Sequence, residues 1–97
     1  MKRDLLLSPR AQRDVEAIWD YTVATWGDAQ AETYIRQIEA ALKVLVDTPE
    51  IARACDDIRA GYRKYPVGAH IVFFRATAKQ LAVIRILHQS MDIERHL

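Results

Sequence analysis

Ninety-seven residues with 14 Lys/Arg, 13 Asp/Glu and 51% hydrophobic content suffice for one domain, residues 1–97, built round a single core. The one cysteine, Cys55, excludes an internal disulfide, and no apolar run approaches the ~18 residues that a bilayer-spanning helix needs. The net charge of +1 hides an asymmetry: residues 1–57 carry seven Lys/Arg against eleven Asp/Glu, and residues 58–97 carry seven against two. A basic half suits a charged partner or plain solvation.

The chain opens on MKRDLLLSPR, whose three-leucine run is too short for a signal-peptide core, so a cytoplasmic protein is expected. Asp4 to Leu7 reads as a short strand stopped by Ser8 and Pro9, a helix N-cap followed by proline at the first helical position. In the helix that follows, Ala11, Val15, Ile18, Trp19, Thr22 and Trp26 recur at three and four and form one stripe, which assigns both tryptophans to the core or an interface. Gly27 supplies the stop. Asp28 caps a second helix, with Ala31, Tyr34, Ile35, Ile38, Ala41, Leu42 and Leu45 on one side and Arg36, Glu39 and Lys43 on the other, ending before Thr48 and Pro49. One glycine between two amphipathic helices makes a helical hairpin.

From Pro49 the period changes. Residues 50–61 show no clean repeat and read as a connecting loop or short helical turn. Tyr62 to Tyr65, His70 to Ala76 and Leu81 to His88 read as strands of an antiparallel meander, with turns at Val67-Gly68 and Thr77 to Gln80. The expected class is α+β: a helical hairpin packed on a twisted antiparallel sheet of about four strands.

Strand parity divides the sheet into two faces. His70, Val72, Phe74 and Ala76 share a side, as do Ala82, Ile84, Ile86 and His88; the other side carries Ile71, Phe73 and Arg75 with Leu81, Val83, Arg85 and Leu87. Two helices cover one side of so small a sheet, and the arginine-free side, with Val72, Phe74, Ile84 and Ile86, is the better core. The other side is then expected to be open, an apolar patch of Ile71, Phe73, Val83 and Leu87 studded with Arg75 and Arg85, beside Arg63 or Lys64. Alternatively the C-terminal segment, through Met91, Ile93 and Leu97, or a second copy of the chain covers it. A bulge in either long strand would invert the assignment.

Three stretches taken in order, LSPRAQRDVEAIWDYTVATWG, RAGYRKYPVGAHIVFFR and VIRILHQSMDIERHL, resemble the ParE toxins of bacterial toxin-antitoxin modules over nearly the whole chain. The resemblance implies a ParE/RelE-type fold. It also implies inhibition of DNA gyrase, and neutralisation by a ParD-type antitoxin whose C-terminal segment wraps around the toxin. A disordered tail that folds on binding covers an open apolar and basic face efficiently. On that basis Arg63, Ile71, Phe73, Arg75, Val83, Arg85, His88, Met91 and Arg95 are the expected antitoxin- or target-contacting residues.

The same fold hosts RelE-type nucleases that cut messenger RNA on the ribosome, so the chemistry has to be checked residue by residue. Cleavage through the 2′-hydroxyl needs a base, cations around the crowded phosphate and an acid for the leaving oxygen. Ile71 stands where such an enzyme is expected to have arginine, and Glu94 where it tends to have tyrosine. Arg75, Arg85 and His88 remain, and parity sets His88 on the opposite face from the two arginines. A non-enzymatic gyrase poison is therefore expected, with the nuclease as runner-up and a non-toxic antitoxin-binding module as the third reading.

Other constellations carry less. His70, His88 and His96 lie too far apart in sequence for a local metal motif, Ser8 reads as a helix cap, and no glycine-rich phosphate loop occurs. No cofactor, metal, membrane partner or sequence-specific nucleic-acid contact is expected.

Overall fold

The computed structural model describes residues 3–97; Met1 and Lys2, the charged start of the chain, lie outside it. Strand β1 (Asp4–Leu7) leads into helix α1 (Pro9–Trp26), and α2 (Asp28–Asp47) returns from it. Ser8 sets the first helix: its backbone is extended and its Oγ accepts the N–H of Ala11 at 3.0 Å, with proline at the first helical position. Gly27, at φ 90°, ends α1 and starts α2 in one residue, its N–H donating to Val23 O at 2.9 Å and its carbonyl accepting from Ala31 at 3.1 Å.

A 3₁₀ turn (Pro49–Ile51) and a two-residue strand β2 (Arg53–Ala54) occupy the stretch that carries no period in the sequence. Strands β3 (Arg63–Val67), β4 (His70–Ala76) and β5 (Gln80–His88) form the meander, and a short helix α3 (Ile93–His96) closes the chain. The sheet has five strands in the order β1-β5-β4-β3-β2, and it is mixed: β1 pairs parallel with β5, Leu5 opposite Leu81 and Leu7 opposite Val83. A parallel pair needs a long crossover, which the rest of the chain supplies. Strand β3 runs on through Pro66, whose partner on β4 is Ile71.

One irregularity decides which side chains face the helices. Phe73 pairs with Arg85, but its neighbour Phe74 pairs with Val83, so Ile84 is an extra residue on β5. A single-residue bulge flips the parity of everything before it. Leu81 and Val83 therefore turn to the helix side and join Val72, Phe74 and Ile86 in the main core with Ala11, Ile18, Ile38, Leu42 and Leu45, while Ile84 is only half-buried. Val83 on the far face and Ile84 in the core are both corrected by that bulge.

The far side of the sheet is not open. Phe73 and Leu87 are enclosed with Cys55, and Ile58 and Tyr62 from the β2–β3 loop pack on them with Ile93 and Leu97 from the C-terminal segment. Arg59 and Arg85 tie that segment down by donating to the carbonyls of Leu97 at 2.8 Å and His96 at 3.0 Å. Among the described residues, no helix is long and apolar enough to cross a membrane.

Candidate interaction groove

The residues expected to form one contact surface are distributed over several places. Phe73 and Val83 have no exposed area and lie in two different cores, so neither offers a docking surface. Ile71 is half-buried beside the second core, and Arg63, opposite Phe74, donates to Ala52 O at 2.8 Å. Arg75 stays exposed on the far face, across from Ala82, and Arg95 is exposed on α3. Arg85 is engaged: its Nε and Nη2 donate to the two carboxylate oxygens of Asp14, each at 2.8 Å. Those bonds hold the guanidinium above its ordinary pKa against the cost of burial, so it stays charged and committed.

His88 and Met91 instead belong to a groove on the other side of the molecule. Cross-strand pairing sets His88 directly opposite His70, the ring centroids 5.3 Å apart and edge-on. From there a groove of about 690 Å³ runs between the end of the β4–β5 ladder and the two helices. Its walls are Ala17, Ile18, Tyr21 and Trp26 from α1, Gln30 and Tyr34 from α2, Ile86 from β5, and Ser90 and Met91 beyond it. Three of these are large and uncovered: Tyr21 is 69%, Trp26 70% and Met91 45% exposed. Side chains of this kind, clustered round a concavity, are the usual anchors of protein interfaces.

The helical spacing of α1 pointed to this groove only in part. Ala11, Ile18 and Thr22 are its buried residues, whereas Trp19 and Trp26, placed on the same stripe by spacing, stand outside the core. The stripe is simply narrower than the run of apolar residues that suggests it.

The groove's polar end is fixed by Tyr34. Its hydroxyl lies 2.6 Å from His70 Nδ1 and 3.2 Å from the Val67 carbonyl, and accepts the N–H of Ala69 at 3.1 Å. The turn between β3 and β4 therefore rests on α2, and Gly68 is what lets it come so close: a Cβ there would sit 2.6 Å from Tyr34 Cε1. Burial pushes the Tyr34 hydroxyl up, and burial, then the nearby His88, pushes His70 below the ordinary histidine value while Asp14 opposes them. The groove thus presents tyrosine, histidine and serine side chains at one end and apolar ones along its length. Among the described residues, Asp14 is the only Asp, Glu, Lys or Arg that lines it, and its carboxylate is already paired with Arg85. Among the described residues, no three of His, Cys, Asp and Glu come together as metal ligands.

Comparison with known proteins agrees with this architecture. The family described as the ParE toxin of the type II toxin-antitoxin system, parDE, matches residues 5–93. A Mycobacterium tuberculosis protein named Toxin ParE1 is 47% identical over 98 residues, covering 100% of both chains. A Caulobacter vibrioides protein of the same name is 38% identical over 91 residues, covering 94% of each. Among solved structures, a chromosomal ParDE toxin-antitoxin system from P. aeruginosa superposes with TM-score 0.77 at 21% identity, over 90% of this chain and 96% of that one. A YafQ mutant from E. coli superposes with TM-score 0.56 at 17% identity, over 92% and 96%. Both structural likenesses concern the fold alone.

Proposed function

Because the chain belongs to the ParE toxin family of type II toxin-antitoxin systems, we propose that it inhibits DNA gyrase by binding rather than by turnover. A ParD-type antitoxin neutralises it by seating an apolar segment in the groove between α1, α2 and the β4–β5 end.

The observation that carries this reading is the character of the groove. Tyr21, Trp26 and Met91 supply uncovered apolar area, and among the described residues no Lys or Arg lines the space. A phosphodiester-cleaving site needs cations beside its acid and base, since two negative charges develop on the phosphoryl oxygens. Here the histidines and the arginines diverge: His70 and His88 line the groove, while Arg85 is held by Asp14 and Arg75 stands on the far face. An apolar seat for a folding tail fits those residues better than a ribonuclease does.

Expression of the chain alone in bacteria tests the reading. Gyrase-trapped DNA breaks, an induced DNA-damage response and rescue by the co-expressed antitoxin are expected. An early translation stop with cleaved messenger RNA would support the nuclease instead, and unimpaired growth an inert antitoxin-binding module.

A further inference from the structure

We propose that His70 acts as a pH gate on the groove: an apolar partner segment is held while the imidazole is neutral and released when it takes up a proton. This rests on the reading of the groove as the antitoxin's seat and adds regulation to it.

The gate is built from one hydrogen and two acceptors. Tyr34 has a single hydroxyl hydrogen, and both His70 Nδ1, at 2.6 Å, and Val67 O, at 3.2 Å, can receive it. The Ala69 N–H donates to the same hydroxyl oxygen in either case. With His70 neutral, the hydrogen points to Nδ1. When Nδ1 carries a proton, it donates to the Tyr34 oxygen, and the hydroxyl turns to Val67 O. In either state the Tyr34 hydroxyl both donates and accepts, so protonation leaves the turn in place and changes only the charge on the groove wall.

The groups facing His70 decide how that charge is felt. Tyr34 comes from α2, His88 from β5 and Asp14 from α1. Asp14 is the only anion among them, and Arg85 together with the Ile86 N–H already occupies its carboxylate. A proton on His70 therefore brings an uncompensated charge into a groove that an apolar segment would otherwise seal, and sealing it would desolvate that charge.

The sign follows from proton binding. In the free chain His70 already titrates below its ordinary value, because of burial and His88. A segment laid over it lowers that value again, so the complex binds fewer protons than the free toxin. Affinity is then complete above the free-state pKa of His70. It declines as pH falls through that value, by up to about tenfold per pH unit for one excluded proton.

The test is the affinity of the chain for a ParD-type antitoxin, measured by calorimetry from about pH 7.5 to about pH 5. The wild type is expected to weaken severalfold toward the acid end of this range, and His70→Asn, which can accept from Tyr34 and cannot charge, to change much less. Parallel profiles for the two proteins would overturn the gate. If Trp26→Ala binds as well as wild type at the upper pH, the antitoxin sits elsewhere, and both the seat and the gate fail. If Trp26→Ala weakens binding while the profiles stay parallel, the gate alone fails. Should His70→Asn not fold, NMR titration of the His70 ring replaces it: a midpoint lower in the complex than in the free chain supports the gate, and an unchanged midpoint rejects it.

Discussion

Asp14 and Arg85 lie 71 residues apart and meet as a forked pair, both guanidinium-to-carboxylate bonds being 2.8 Å long. The same carboxylate accepts the Ile86 N–H at 2.9 Å, where β1 has already left the edge of β5 and no strand remains to take it. One acidic side chain on the first helix thus finishes the ladder of the last strand and neutralises its only inward-held cation. The side chains are 14% and 16% exposed, which sets this pair apart from the solvated Glu32–Arg36 pair on α2.

Asp14→Ala leaves a mostly buried guanidinium and a backbone N–H without their acceptor. It is expected to cost about 2–4 kcal/mol in chemical denaturation, with Asp14→Leu combined with Arg85→Met recovering part of that loss. A cost below about 0.5 kcal/mol, the range of an exposed pair, would mean the pair is ornamental.

Gly68→Ala is expected to destabilise the fold by about 2 kcal/mol or more, since its Cβ enters the Tyr34 ring and its backbone is left-handed at φ 57°. Thermal unfolding of Gly68→Ala, Tyr34→Ala and the pair checks this. The double variant is predicted to be more stable than the sum of the singles allows, and strict additivity would deny the contact.

Much of the fold is legible in the sequence because it is written in local chemistry. Ser8-Pro9 and Gly27 mark helix ends, and alternation marks β4 and β5. Two features are not local. The parallel docking of β1 onto β5 joins Leu5 to Leu81, and the bulge at Ile84 depends on how Ser8 meets β5. There Ser8 N–H donates to Val83 O at 2.9 Å and Ser8 Oγ to Ile84 O at 2.7 Å. Without the bulge, parity sends Val83 to the wrong face. The candidate groove was less legible still. His70 and His88 are far apart in sequence and become neighbours only through register, and Asp14 reads as one more acid on a helix until Arg85 is placed beside it.

Trp26→Ala and Tyr21→Ala remove side chains that are 70% and 69% exposed, so each is expected to change stability by less than about 0.5 kcal/mol. Each should weaken antitoxin binding by about 1–2 kcal/mol or more, as anchor residues do. Calorimetric titration beside denaturation separates the two effects. Stability loss without binding loss would place these residues in the fold and not in an interface.

Cys55 reports on the C-terminal cover. It is 1% exposed, and burial pushes its thiol up, so the reactive thiolate is suppressed at neutral pH. Labelling by a disulfide reagent is expected to be slow in the intact chain and to accelerate about tenfold or more when Ile93 and Leu97 are both replaced by alanine, since those side chains pack on its cluster. Unchanged labelling would show that the segment does not guard this side of the sheet.

The central claim, a gyrase poison that acts by binding and is silenced through the groove, meets its most direct test in a purified reaction. Supercoiled plasmid, gyrase and ATP are incubated with the chain, with Trp26→Ala, or with the chain and its antitoxin, then opened with detergent and protease. Protein-linked, linearised plasmid from the wild-type chain, reduced for Trp26→Ala and abolished by antitoxin, is the predicted result. Plasmid that stays intact at every toxin concentration, while added RNA is cut, would contradict it.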